Sequence, residues 1–310
     1  NSYFCALKIN CFLIRITFLN FSYFLVIISC LSGEAQQHQI SVKHDNDLYF
    51  IIDQYYTAGT FLRYDRQIKS SALATKQWHV QLSQELYTPS IKSRPDSIFF
   101  DRPFAGILRL NTGLQQVKPR EAWFFAIDYA LMGPQSKADE VHQGFHKLID
   151  EQRPVWMFQM PNKHHVNLSI ENWQEFDTSL SASTKMRIEN KLSLGTLDNY
   201  LQTGFHLDLN RNGNLNKSLS AGILNAKEQL VLSAGLYYRY QLYDARIEGH
   251  LVQPKAIIKR STVNQMLMLK SSLKYQVDRI RLQLWYVQQT RKSIYVENHR
   301  YLGIQIGLLF

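Results

Sequence analysis

From His38 onward, apolar and polar residues alternate with a period of two over long runs. In Glu121–Met132 the side chains of Trp123, Phe125, Ile127, Tyr129 and Leu131 share one face, with Ala126, Asp128 and Ala130 on the other. The same alternation sets Ile280, Leu282, Leu284 and Tyr286 against Arg279, Arg281, Gln283 and Trp285. It also sets Leu201, Thr203, Phe205, Leu207 and Leu209 against Tyr200, Gln202, Gly204, His206 and Asp208. A soluble sandwich alternates too, but its strands run to about 5–6 residues. The runs here reach about 10–13, and a tilted strand needs about 9–11 to cross a bilayer. Helical spans are not expected, because nothing after the first 35 residues approaches the ~18 consecutive apolar residues they require.

The pattern predicts strands near residues 38–50, 55–68, 76–88, 104–118, 121–132, 159–174, 182–194, 198–209, 229–241, 261–276, 279–291 and 300–310. The count is even, as an up-and-down bacterial barrel requires. In "YLGIQIGLLF", Leu302, Ile304, Ile306, Leu308 and Phe310 fall on one face, and an amphipathic strand ending on an aromatic resembles an outer-membrane insertion signal. The expected fold is an all-β, transmembrane, antiparallel barrel of about 12 strands with a short helix in one extracellular loop. That helix is expected over Ala138–Glu151, where Val141, Phe145, Leu148 and Ile149 repeat at helical spacing. Ser136 with Asp139 reads as a capping box, and Pro134 helps to end the strand before it. A helix has little architectural use among strands, so function is expected near it.

Two polar runs interrupt the pattern. "HDNDLYFIIDQYYTAG" puts Asp45, Asn46 and Asp47 in a row where a strand is expected, and adds Asp53 and Thr57. These are hard oxygen donors of the kind calcium takes, without EF-hand spacing, and a solvated strand end would use the same residues. In a regular strand Asn46 and Asp47 face opposite sides, so both can serve one site only if the backbone is irregular there. On the helix, His142 and His146 are four apart and share a face. The spacing suits two metal ligands, but the Glu of His-Glu-x-x-His is missing from "HQGFH".

Composition narrows the class further. There are 17 Tyr, 17 Phe and 5 Trp, and no proline- or glycine-rich tract divides the chain, so one continuous unit over 36–310 is expected. Residues 1–35 read as an export signal, with Lys8 and Arg15 before the apolar run "TFLNFSYFLVIISCLS" and the short polar "GEAQQ" after it. A membrane anchor, or a lipoprotein box ending at Cys30, are the alternatives. Cys5, Cys11 and Cys30 all lie there, which leaves the remainder without disulfides or a thiol nucleophile. That remainder keeps 33 basic and 24 acidic residues, a net +9, suited to phosphates or an anionic membrane surface. No Gly-x-Ser-x-Gly elbow, P-loop or dinucleotide fingerprint is present, so nucleotide chemistry is not supported and no nucleic-acid partner is expected. A histidine acting as general base on water, beside a cation, fits the inventory.

Several motifs in order resemble the lipid A 3'-O-deacylase family of Gram-negative outer membranes. They are "DND" with "YYTAG" (Asp45–Asp47, Tyr55–Gly59), "DRPFAGIL" (Asp101–Leu108), "GPQS" leading into a helix with "HKLI" (Gly133–Ile149), Trp156 with Gln159, and "QQTRK" (Gln288–Lys292). The resemblance implies a twelve-stranded outer-membrane barrel with a calcium-dependent ester hydrolase site between barrel wall and loop helix, acting on the 3'-acyloxyacyl group of lipid A. It assigns His146 as the base that activates water. It assigns Asn46, Asp47 and Thr57 to the Ca2+ and polar part of the site, with Asn46 and Asp47 as ligands. Lys43, Arg63 and Arg102 are candidates for the phosphates of lipopolysaccharide. The chain departs from the family pattern at His142, where a Gln is expected, and at Lys163, where a Glu is expected; Glu151 could supply an acidic group past the helix. An inactive or repurposed lipid-binding barrel of the same family is the alternative. A phospholipase would need a Ser beside its His, and the oligomeric state is left open.

Overall fold

The computed structural model describes residues 37–310 apart from 91–95, 97–99, 153, 177–180, 182, 212, 227–229 and 253–254. The expected export segment, residues 1–35, lies outside the described residues, as do the predicted strand starts at 182 and 229. Twelve strands form: β1 (His38–Asn46), β2 (Tyr55–Ser70), β3 (Thr75–Thr88), β4 (Ala105–Val117), β5 (Glu121–Met132), β6 (Lys163–Phe176), β7 (Lys185–Gly195), β8 (Asp198–Leu209), β9 (Leu230–Asp244), β10 (Gln265–Val277), β11 (Ile280–Gln289) and β12 (His299–Leu309). Each pairs antiparallel with its neighbours, and β1 pairs with β12 from Gln39↔Leu309 to Asn46↔Leu302, which closes the barrel. Closure leaves no edge, the one way a sheet can satisfy its backbone inside lipid. No described helix is long and apolar enough to cross a membrane.

The alternation is inverted relative to a soluble protein. Phe125, Ile127 and Tyr129 on β5, Leu201 and Phe205 on β8 and Leu282 and Leu284 on β11 are exposed on the outer surface. The opposite faces point into the barrel and carry buried Asp128, Gln202, Asp208 and Arg281. An apolar exterior costs nothing in hydrocarbon, whereas interior charges must pair. They do: Asp208, fully buried, accepts from Arg187, from Ser220 Oγ at 2.6 Å and from Ser233 Oγ at 2.7 Å, and pairs with Arg211 at 3.2 Å.

At the end that holds His38 and Phe310, the connection between β8 and β9 folds back as a plug. Leu215, Leu219, Ile223 and Leu224 are completely buried in it. Arg281 Nη2 donates to Ile223 O (2.7 Å), Lys274 Nζ to Ser220 O (2.7 Å), and Gln77 Oε1 accepts from Leu224 N (3.0 Å). A passive pore needs an open lumen, and this one is crossed by chain and by ion pairs.

The opposite end carries the long connections. Between β5 and β6 lies a helix, α1 (Ala138–Leu148), preceded by a 3-10 turn at Pro134–Ser136. It stops three residues short of the predicted end. The expected capping box does not form: Lys137, with a left-handed backbone (φ 62°), occupies the N-cap without a side-chain bond. Ser136 Oγ instead donates to Gly133 O at 2.6 Å. A second, four-residue helix, α2 (Ala245–Glu248), follows β9. An apolar cluster of Leu86, Phe100, Phe104, Ala138, Trp156 and Ile258 ties these connections to the wall, with Phe104 stacked on Trp156 at a centroid distance of 5.0 Å.

Candidate active site

Outward-facing positions on neighbouring strands form rows around the barrel. The row Val42, Leu62, Leu82 and Leu110 is paired strand to strand and fully apolar. One step nearer α1 the row reads His44, Thr60, Gln84 and Leu108; the next reads Asn46, Ala58, Leu86 and Gly106. Polar side chains therefore break the greasy exterior of β1 to β3 under the helix. Gly106 lets α1 come down there, since a methyl group on it would lie 2.3 Å from Ala138 Cβ and 2.6 Å from Ser136 Oγ. Between wall and helix is a cavity of about 450 Å³, lined among others by His44, Asn46, Asp47, Thr57, His142 and His146.

The backbone irregularity expected near Asn46 is present. β1 ends at Asn46, and Asp47 turns into αR (φ −92°, ψ −11°) to start a 3-10 turn over Leu48–Phe50. Asn46 Oδ1 accepts from Leu48 N at 2.7 Å, and Asp47 Oδ2 from Gln54 N at 2.9 Å. On β2 the register shifts between Tyr56 and Ala58, so Thr57 sits at a bulge, where its hydroxyl meets that of Thr88 at 2.7 Å. The strand end and the bulge together bring Asn46, Asp47 and Thr57 to one cavity. Asp45 is different: it faces the lumen, accepting from Tyr56 Oη (2.8 Å) and Trp285 Nε1 (2.9 Å).

The helix supplies the other wall. His142 and His146, one turn apart, meet edge to face at 4.7 Å, and both rings approach Asp53 from the β1–β2 connection. His142 Nε2 lies 3.5 Å from Asp53 Oδ1, and His146 Nε2 lies 3.6 Å from Asp53 Oδ2. On its other side His146 Nδ1 is 3.9 Å from Glu151 Oε2. Trp156 Nε1 donates to His142 Nδ1 at 2.9 Å, in a buried contact.

All four residues assigned from the resemblance, His146, Asn46, Asp47 and Thr57, thus line the same cavity. Asp53 joins them; its acidity was visible in the sequence, but its approach to the helix depends on a loop path that no local pattern encodes. The three basic candidates do not line it. Lys43 lies over the Phe61 and Trp285 rings on the lumen side, Arg63 pairs with Asp65 at 2.7 Å, and Arg102 is buried against Tyr87. Lys163 opens β6 and is not among the residues that line the cavity. As a donor set, Asn46, Asp47 and Thr57 offer only oxygens, which matches the preference of calcium.

A family model described as "Outer membrane protein LpxR" matches residues 19–307. Among solved structures the chain is similar to LpxR from Salmonella typhimurium, with a TM-score of 0.67 and 19% identity over 88% of this chain and 100% of that one. It is also similar to an outer membrane channel from Pseudomonas putida F1, with a TM-score of 0.52 and 8% identity over 91% of this chain and 97% of that one. Both likenesses concern the fold. No curated protein sequence matches the chain.

Proposed function

Because the chain belongs to the LpxR family of outer membrane proteins, we propose that it is an outer-membrane ester hydrolase that removes the 3'-acyloxyacyl group of lipid A. The observation that carries this reading is the position of the cavity. It lies on the lipid-facing side of the wall, between the polar patch of β1 to β3 and α1, with Val141, Phe145 and Ile149 of the helix side lining it. An ester in the outer leaflet can reach such a cavity sideways, with its acyl chains still in hydrocarbon. A plugged lumen plays no part in that path.

In this reading His146 takes a proton from water as the water oxygen attacks the acyl carbon, and the same proton then goes to the departing sugar oxygen. The products are a free acid and a hydroxyl on the sugar, so the step needs no co-reactant. Asn46, Asp47 and Thr57 would hold a calcium ion. When bound, calcium supplies positive charge for the oxyanion that develops on the carbonyl oxygen. Thr57 and Asn46 also present polar groups to the headgroup side of the ester. The export signal and a site at the cell surface belong to the same proposal.

The test is mass spectrometry of lipid A from cells expressing the wild type or His146→Ala, with and without a calcium chelator. The expected result is loss of the 3'-acyloxyacyl mass with the wild type only. Removing the base should slow the reaction by about 10²–10⁴-fold, and chelation should suppress it. An unchanged acyl pattern with the wild type would leave a lipid-binding barrel of the same family.

A further inference from the structure

Asp53, His142 and His146 place three ligand atoms within 4.8 Å of one another, which at first sight is a metal triad. The hydrogen bond from Trp156 argues otherwise. An indole N–H can only donate, so His142 Nδ1 must present its lone pair to Trp156, and the proton of the neutral ring sits on Nε2. That nitrogen faces Asp53 and has no lone pair left for a cation. We propose, on the premise that His146 is the base of an ester hydrolase, that Trp156, His142 and Asp53 form a positioning chain which holds the His146 ring.

The order of the chain follows from donors and acceptors. Trp156 N–H fixes the tautomer of His142; His142 Nε2–H then points at one oxygen of Asp53, and the other oxygen points at His146 Nε2. The two carboxylate distances, 3.5 and 3.6 Å, are longer than formed hydrogen bonds, and catalytic contacts of this kind commonly tighten when substrate closes a site. With its proton directed to Asp53, His146 keeps the Nδ1 lone pair for water, on the side of Glu151. The carboxylate also stabilises the imidazolium formed when the base has taken its proton, as in other hydrolases that pair His with a buried acid. Each link is mechanically supported: Trp156 is clamped by Phe104, and His142 is 3% exposed.

The chain predicts a kinetic pattern that a merely structural role would not produce. In the purified, refolded full-length barrel assayed on lipid A micelles, Asp53→Asn lowers kcat by about 10²-fold or more with KM within about twofold, since binding is untouched. Trp156→Phe keeps the stacked ring but loses the N–H, and costs about fivefold to tenfold in kcat. His142→Leu loses the link, and His142→Gln, whose amide is also a neutral donor, recovers most of that loss. Histidine-selective 15N NMR provides a readout free of activity. The wild type should show His142 protonated at Nε2, Trp156→Phe should release it to a mixture of tautomers, and added zinc should leave the His142 signal in place. A His142 ring protonated at Nδ1, or a zinc-dependent shift of its signal, overturns the chain. So does full kcat in Asp53→Asn while His146→Ala is dead, an outcome that leaves the hydrolase reading intact. A wild type that releases no acid sinks that reading instead, and the tautomer measurement still decides the chain.

Discussion

Replacing Gly106 by alanine tests whether the fit of helix to wall sets the geometry of the site. The added methyl would lie 2.3 Å from Ala138 Cβ, about 1 Å inside the 3.4 Å at which ordinary contact begins, and it also crowds Ser136 Oγ at 2.6 Å. Ala138 Cβ cannot move without its backbone, and Ser136 Oγ is tied to Gly133 O, so the start of α1 must lift by about 1 Å. Carried along the helix, that lift draws His146 away from Asp53, from which it is already 3.6 Å distant. A misplacement of about 1 Å costs on the order of 10²-fold in rate, or about 2.7 kcal/mol of barrier. The barrel itself should persist, because its strand ladder does not pass through the contact. Gly144→Ala is the control: it lies on the same helix with nothing within 4 Å of the new methyl, and should leave turnover unchanged while firming the helix. The assay is acyl release from lipid A at matched amounts of folded barrel, judged by semi-native electrophoresis. Full activity in Gly106→Ala would refute the idea that this close approach positions His146.

Two further outcomes concern stability. Asp208→Asn leaves Arg187 and Arg211 facing a neutral amide inside the barrel and should cost about 3–5 kcal/mol in urea unfolding from vesicles, with loosening of the plug that Ser220 ties to it; a shift below about 1 kcal/mol would contradict the interior network. Lys292, on the β11–β12 connection outside the membrane, has its ammonium form disfavoured by burial and then by Arg246, lowering it from 10.5 to about 7. Between those values the unfolded chain binds more protons, so stability should rise with pH across that window and fall back as pH drops towards 7. Lys292→Met should flatten that rise, and an equal slope in both proteins would show that Lys292 does not titrate in this way.

Much of the site could be read from the chain because its residues break a pattern. Asn46 and Asp47 stood out as polar groups on an expected strand, and the need for an irregular backbone followed from their opposite facing; the strand end at Asn46 and the shift at Thr57 meet that need. The helix stood out by its change of period, and with it His142 and His146. The twelve predicted strands all form, with ends moved by up to four residues, as at β1, where the predicted 38–50 stops at Asn46, and at the starts of β6 and β10. The family resemblance drawn from scattered motifs agrees with the family model, and the structure explains some of those motifs: Phe104 stacks on Trp156, and Gly106 seats the helix. Position in sequence misled for Lys43, Arg63 and Arg102. Lys43 and Arg63 sit at inward-facing places on their strands, where Asp45 and Asp65 pair with them, and Arg102 is buried with its guanidinium donating to Arg246 O.

What the sequence by itself determined is the architecture. A bilayer offers no hydrogen bonds, so every strand must pair, cross at about ten residues and show apolar groups at every second place. That constraint acts locally and leaves its mark residue by residue. What only the tertiary structure decided is which face of the wall holds the site, and what stands behind its histidine. Asp53, Trp156 and His142 come from three separate segments, and their meeting depends on loop paths, on one glycine under a helix and on a stacked aromatic pair. Such contacts join residues far apart in the chain, and no period in the sequence records them.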